Sequence, residues 1–543
     1  MPSRYVPIIA GSLLLACSDA DSPRVAASPL EPASQDPLRV QTLAGTVRGV
    51  AADAVERFLG IPYAAPPVGA LRWAPPQPPA PWSGELVASA AGPICLQPGP
   101  LGVPIGSEDC LSLNVYRPAG LDPAERLPVM LWIHGGSFVS GAGSIYDPRR
   151  LVEENHIIVV TINYRLGALG FLAAPALTSE SADAGSGDYG LMDQTLSLRW
   201  VHDNIAAFGG DPGQVTLQGQ SAGGASVCAQ LAVPAAGGLF ARAIIQSASC
   251  ASVALAPAEA QGTALAGALG CSDAVSAAVC LRALPAEQLV GLSAIFGPVA
   301  GGGYLPLAPY AALVTGQQHP VPLLVGGVSD EMRGFAALEY PLDPARYLEA
   351  LAAHFPLESP EVIAALYPPE SYAEPYLALT AALSDSGAYL LGSLGGCVTE
   401  TLAATASMST PTWAYEFDDP GFVWSPSALP VPVPIGASHS SELPFLFDTL
   451  GVTLNEPFNP AQDALAEQML QAWGAFIRDG EPSLGDMNLD APAWPAYGAP
   501  ERRMLHLEPA QVGVVTDFRQ RHHCDFWQTS ATAAAALAAS GAG

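Results

Sequence analysis

The stretch "QVTLQGQSAGGASVCAQLA", residues 214–232, decides the fold. It opens as a strand, in "QVTL", and closes as a run of small residues suited to a helix. Between them Ser221 stands in a G-x-S-x-G frame, with Gly219 before it and Gly223 after it. A serine on a sharp strand-to-helix turn is lifted clear of the sheet, and glycines let the backbone make that turn. Ser221 is therefore a candidate nucleophile rather than a serine in an ordinary Gly-rich loop. A hydroxyl alone is a poor nucleophile, so a histidine base and an acid to orient it are required elsewhere in the chain.

Outward from this stretch, apolar runs alternate with helical patterns. "LPVMLWIHGG", "HIIVVTINYR", "ARAIIQSAS", "VPLLVGGVSD" and "PTWAYEFDD" lack a polar face, as strands covered on both sides must. Between them lie helix candidates such as 191–204, "LMDQTLSLRWVHDN", with apolar residues at helical spacing. The class is α/β: a large, mostly parallel central sheet flanked by helices, with long insertions. The strands are spread from end to end, so residues 41–528 read as one catalytic domain.

The flanks read differently. Arg4 precedes "VPIIAGSLLLA", which is too short to cross a bilayer and has the form of a secretory signal peptide over residues 1–17. Its end, Leu14-Leu15-Ala16-Cys17, resembles a bacterial lipobox, which makes Cys17 a lipidation site and a membrane tether without a spanning helix at the periplasmic or cell surface; the alternative is conventional cleavage near Cys17 and a secreted protein. Residues 18–40, rich in Pro, Ser and Asp, read as a disordered linker, and 529–543 as a low-complexity tail. Export to an oxidising compartment suits the nine cysteines, eight of them beyond Cys17. The formal charge is −29 and every basic residue is arginine, a balance that argues against nucleic-acid binding. Paired C-x-x-C spacings are absent, and neither a metal nor a cofactor is expected.

With a nucleophile on such a turn the chain order is serine, acid, histidine. Of the later histidines, His319 precedes the strand that should carry the acid. His354 lies in an apolar helical run, His506 in the strand-like "RMLHLEP", and His522 and His523 beside Cys524. His439, in the Gly/Ser loop "GASHSSELPF" after a strand, is the candidate base. For the acid, "GGVSDEM" offers Asp330 and Glu331, with Asp418 and Asp419 as outsiders; pattern alone does not separate the two neighbours.

From roughly Val40 to Trp527 the chain resembles the type B carboxylesterase/lipase family, the cholinesterase-like α/β-hydrolases. The resemblance rests on "FLGIPYAAPPVGALRW", "SEDCLSLNVYRP", "WIHGGSF", "NYRLGALGFL", "GDYGLMDQTLSLRWVHDNIAAFGGDP", "GQSAGGAS", "GGVSDEMRGF" and "GASHSSELPF", in that order. The family's aromatic after "EDCL" is Ser112 here. The resemblance implies a triad of Ser221, Glu331 and His439, so it selects Glu331 over Asp330. It implies an oxyanion hole from the amides of Gly136, Ser137 and Ala222, with Ser137 where the family often has Gly or Ala. Disulfides Cys95–Cys110, Cys271–Cys280 and Cys397–Cys524 are implied likewise, while Cys228 and Cys250 either pair or stay buried as thiols. Arg72 with Glu108, and Arg165 with Asp193, match structural salt bridges.

The family usually has Glu directly before the nucleophile, in a buried acid network whose other members match Ser247 and Glu442. Gln220 here keeps hydrogen bonding but removes a charge. The segment Cys95–Cys110 contains no aromatic to hold a quaternary ammonium. The expected activity is that of a serine carboxylic ester hydrolase acting on small-molecule neutral esters through an acyl-enzyme. The alternatives are a lipase on longer-chain lipid esters and a non-catalytic recognition protein of the same fold.

Overall fold

The computed structural model describes residues 36–531, apart from 183, 293, 295, 388–393, 422–432, 450–456 and 485–492. The signal peptide, Cys17, residues 18–35 of the linker and residues 532–543 of the tail lie outside the described residues. The chain divides into two units, residues 1–37 and 38–543, and the second holds the whole central sheet.

Eleven strands form that sheet. In chain order they are β1 (Val50–Ala52), β2 (Val55–Pro62), β3 (Ser112–Pro118), β4 (Leu127–Ile133), β5 (Ile158–Ile162) and β6 (Gly210–Gln220). They continue as β7 (Arg242–Gln246), β8 (Leu323–Val328), β9 (Thr412–Phe417), β10 (Met504–Leu507) and β11 (Gly513–Val515). Across the sheet the order is β11-β10-β9-β8-β7-β6-β4-β5-β3-β2-β1. Strands β4 to β10 run parallel to one another, and β1, β2, β3 and β11 add antiparallel edges. The strands expected from apolar runs all form. The antiparallel strands were not legible: β1 and β11 have three residues each, and in β2 and β3 the buried Glu56, Asn114 and Arg117 interrupt the apolar run.

Side-chain alternation explains why the central strands have no polar face. In β4, Val129, Leu131 and Ile133 join the larger core layer, while Met130 and Trp132 enter the layer on the opposite face. In β9, Ala414 faces the first layer and Trp413, Tyr415 and Phe417 the second. Helix α1 (Tyr189–Asn204), helix α2 (Ala222–Ala232) and helix α3 (Gly396–Ala406) supply the first layer with Leu198, Val227 and Leu402. Helix α4 (Pro460–Asp479) covers the second with Leu465, Met469, Trp473 and Phe476, at helical spacing. An Asn459–Gln462 capping box starts α4.

Two boundaries shift. A separate three-stranded sheet begins at Arg39–Gln41, pairing with Thr46–Arg48, so the body starts inside the stretch read as linker; Val40 is buried there. At the other end, helix Cys524–Thr529 runs into the stretch read as tail, and Ser530 is buried against Trp527.

Candidate functional site

Strand β4 connects to β5 on one side of itself, and the chain then returns to place β6 on the other. Ligand sites in open parallel sheets form beyond the strand carboxyl ends at such a reversal. The loop after β4 carries Gly135–Gly136–Ser137, and β6 ends directly before Ser221.

Ser221 has φ 59° and ψ −126°, a strained conformation costing about 1–3 kcal/mol. Its N–H donates to the Gln246 carbonyl at 2.9 Å, which fixes the turn against β7. Close packing makes the two glycines of the motif obligatory. A Cβ on Gly219 would lie 2.4 Å from the Gly223 carbonyl, and one on Gly223 would lie 2.0 Å from the Ile133 carbonyl oxygen. A Cβ on Gly135 would stand 3.0 Å from Ser221 Cβ, so the loop after β4 lies against the serine.

Glu331 follows β8 and is 1% exposed at its side chain. Its Oε1 accepts from the Val328 N–H at 3.1 Å, and its Oε2 accepts from His439 Nδ1 at 2.7 Å. With the ring proton on Nδ1, Nε2 keeps its lone pair, and that atom lies 3.2 Å from Gln220 Nε2. The Phe335 ring packs on the imidazole with centroids 5.3 Å apart.

Asp330 takes a different task. Its N–H donates to the Ala437 carbonyl at 3.0 Å, and its Oδ2 accepts from the Ala437 N–H at 3.1 Å. Its other oxygen pairs with Arg333. Asp330 therefore holds the loop that carries His439, while Glu331 holds the ring. Burial outweighs Arg333 and pushes the Asp330 carboxyl up to about 6. Neither outsider faces the imidazole: Asp418 accepts from Ser329 Oγ at 2.8 Å, and Asp419 from Gln462 Nε2 at 2.7 Å. The other histidines have partners away from Ser221, as with His319 on the Val233 carbonyl and His522 between Asp385 and Glu416.

Gly136, Ser137 and Phe138 have φ of 111°, 54° and 60°. The loop closes with Val139 and Ser140 N–H both donating to the Gly136 carbonyl at 3.0 Å. Ser137 therefore holds a left-handed backbone without being glycine. Among the described residues the amides of Gly136, Ser137 and Ala222 donate to no protein acceptor. Ala222 opens α2, so its N–H is one of the helix's unpaired donors.

The expected hydrogen-bonded set of Gln220, Ser247 and Glu442 does not form. Gln220 is an amide with an N–H to give, and it reaches the imidazole instead. Glu442 Oε1 accepts from Gln246 Nε2 at 3.3 Å, and Gln246 Oε1 in turn accepts from Gln218 Nε2 at 2.7 Å. Ser247 Oγ and Glu442 Oε2 have no hydrogen-bond partner. Burial, reinforced by the charge of Glu331, pushes the Glu442 carboxyl up to about 7. Gln246 was missed from sequence, although three buried glutamines on two adjacent parallel strands were a signal: Gln220 and Gln246 are in register.

Around the site, Cys95–Cys110, Cys271–Cys280 and Cys397–Cys524 are bonded as the resemblance implies, and Cys228 pairs with Cys250. Arg72 grips Glu108 through two bonds of 2.7 Å, and Arg165 grips Asp193 at 2.8 and 2.7 Å. Gln97, buried in the first disulfide loop, exchanges both amide hydrogen bonds with Gly141 at 2.8 and 2.9 Å, tying that loop to the one after β4. Leu101 and Val103, at its tip, are exposed.

This parallel sheet, with its elbow serine at the reversal of strand order, is the α/β-hydrolase fold. Within that class the chain belongs to the carboxylesterase family, whose model matches residues 36–527, and it is a serine carboxylic ester hydrolase. Para-nitrobenzyl esterase of Bacillus subtilis (strain 168) is 36% identical over 495 residues, 86% of this chain and 94% of that protein. Fumonisin B1 esterase of Sphingopyxis macrogoltabida is 35% identical, over 88% of this chain and 87% of its own. A solved structure described as "thermophylic PNB esterase" superposes with a TM-score of 0.73 at 33% identity, covering 90% of this chain and 100% of the other. The four disulfides are consistent with an extracellular protein, and no described helix is long and apolar enough to cross a membrane.

Proposed function

We propose that Ser221, Glu331 and His439 are the catalytic triad, acting on neutral esters with an apolar acyl or alcohol part. The observation that carries the reading is the 2.7 Å bond from His439 Nδ1 to buried Glu331, with Nε2 left facing the end of β6. His439 takes the proton of Ser221 as the hydroxyl oxygen attacks the ester carbonyl, and the tetrahedral oxyanion rests on the amides of Gly136, Ser137 and Ala222. One such donor is worth roughly 3 kcal/mol in the transition state. His439 then protonates the leaving alcohol. Water, deprotonated by the same nitrogen, cleaves the acyl-enzyme and restores Ser221.

Two features support neutral substrates: an uncharged Gln220 beside the base, and a Cys95–Cys110 loop that presents Leu101 and Val103 and contains no aromatic ring. The names of the relatives make p-nitrobenzyl esters a suitable first substrate. Replacing Ser221 with Ala should abolish turnover of p-nitrophenyl butyrate and labelling by a fluorophosphonate while leaving the far-ultraviolet dichroism unchanged. Retained turnover rejects the triad. Faster cleavage of acetylthiocholine than of p-nitrophenyl butyrate rejects the neutral-substrate reading.

Export with lipidation at Cys17 belongs to the same proposal, supported by the lipobox-like "LLAC". Incorporation of a labelled fatty acid that Cys17→Ser abolishes is the expected result.

A further inference from the structure

Both ring nitrogens of His439 have protein partners, and neither partner is Ser221. Nδ1 carries the ring proton and donates a hydrogen bond to Glu331 Oε2 at 2.7 Å. Nε2 is then a bare acceptor, and the Gln220 side chain lies 3.2 Å away. An amide oxygen turned toward that lone pair would repel it, so the NH₂ end must face the ring. Gln220 is 2% exposed, and its Oε1 is directed to the Gly135 side, where a Cβ added to Gly135 would stand 3.2 Å from it. Ser221 Oγ makes no hydrogen bond among the described residues.

We propose that Gln220 is a positioning residue that parks the general base: in the free enzyme its N–H occupies His439 Nε2 and holds the imidazole off Ser221 until substrate displaces it. This deepens the triad reading and rests on it. The reaction needs Nε2 to exchange one partner for another, from the amide N–H of Gln220 to the hydroxyl of Ser221. The proton transferred is that of Ser221, and Gln220 loses none. A protonated Nε2 cannot accept from the amide N–H, so the parking contact exists only while that nitrogen is bare. The charged groups facing His439 are Glu331 across the ring and Glu442 on its own loop, with the Asp330–Arg333 pair holding that loop from the β8 side. None of these places a donor on Nε2.

The test compares the pH dependence of kcat/KM on p-nitrophenyl butyrate for wild type, Gln220→Glu and Gln220→Met. A carboxylate accepts from a protonated ring, so Gln220→Glu should move the acid limb up by roughly one pH unit. Met fills a similar volume without a donor, and its limb should move up by roughly half a unit. The readout is the position of the limb, whatever the plateau height. Equal loss at every pH with an unmoved limb would make Gln220 merely structural and overturn the proposal. A limb that moves in the Glu variant alone would reduce the effect to charge, and overturns it as well. Imidazole ¹⁵N spectra of wild type and Ser221→Ala, with His439 assigned by substitution, provide a readout if the Gln220 variants misfold. A hydrogen-bonded Nε2 resonance at alkaline pH is expected in both, and a free one in Ser221→Ala refutes the parking contact. Failure of the triad reading shows separately, as turnover surviving Ser221→Ala.

Discussion

Glu442 is wholly buried, has one oxygen without a partner, and lies near a second carboxylate, Glu331. Its carboxyl is pushed from the ordinary 4.5 to about 7. A raised folded-state value means that ionisation opposes folding. Relative stability is therefore intact below about 4.5 and is lost progressively as pH rises through about 7. A shift of this size corresponds to about 3 kcal/mol, the full loss being reached above pH 7 or so. Replacement of Glu442 by Gln removes the titration, keeps an oxygen for the Gln246 N–H, and exchanges the unpartnered oxygen for an NH₂ of similar size. The stability of Glu442→Gln relative to wild type should accordingly rise between pH 5 and pH 8.5 by an amount approaching 3 kcal/mol. For a domain of about 500 residues the unfolding entropy is near 1 kcal/mol/K, so the difference in Tm should move by ~3 °C. Thermal unfolding followed by tryptophan fluorescence at half-unit pH steps measures it. A Tm difference independent of pH, or one that grows toward acid, would refute the claim that a buried ionisation is responsible.

The geometry sets further outcomes at three places in the fold. Replacing Cys397 and Cys524 together with Ser opens a 127-residue loop, and the chain-entropy relation puts the cost at about 5 kcal/mol, read as a lower Tm under non-reducing conditions. Ser137→Gly accepts φ 54° without strain and should keep kcat within a few-fold. Ser137→Val cannot hold that backbone, and on the proposed oxyanion role of its amide should lower kcat roughly a hundredfold. Gly223→Ala sets a methyl carbon 2.0 Å from the Ile133 carbonyl oxygen; since that oxygen is backbone, the elbow must open. Turnover should fall by more than about a hundredfold, and wild-type activity in this variant would disprove the packing argument.

Much of the site was legible because its local geometry is written into neighbouring residues. Gly219, Ser221 and Gly223 announce a turn that few other sequences can make, and the apolar run before them announces a buried strand. His439 was separable from the other histidines by its place in a loop beyond a strand. Asp330 and Glu331 were not separable by pattern. They are adjacent carboxylates, and which of them turns inward depends on Ala437, a residue 107 positions away from Asp330. Cys228 and Cys250 were equally undecided, because only the packing of α2 against β7 brings their Cα atoms to 5.3 Å.

The amino-acid order alone therefore determined the α/β class, the parallel core strands and the strained elbow, since each follows from periodicity or from the steric freedom of glycine within a few residues. Tertiary structure alone decided the partners of the buried polar side chains: Gln220 on the imidazole, Gln246 on Glu442, Asp330 on the histidine loop. A hydrogen bond forms with whichever complementary atom lies within about 3 Å, and for groups brought together from distant strands that distance exists only after the sheet has assembled.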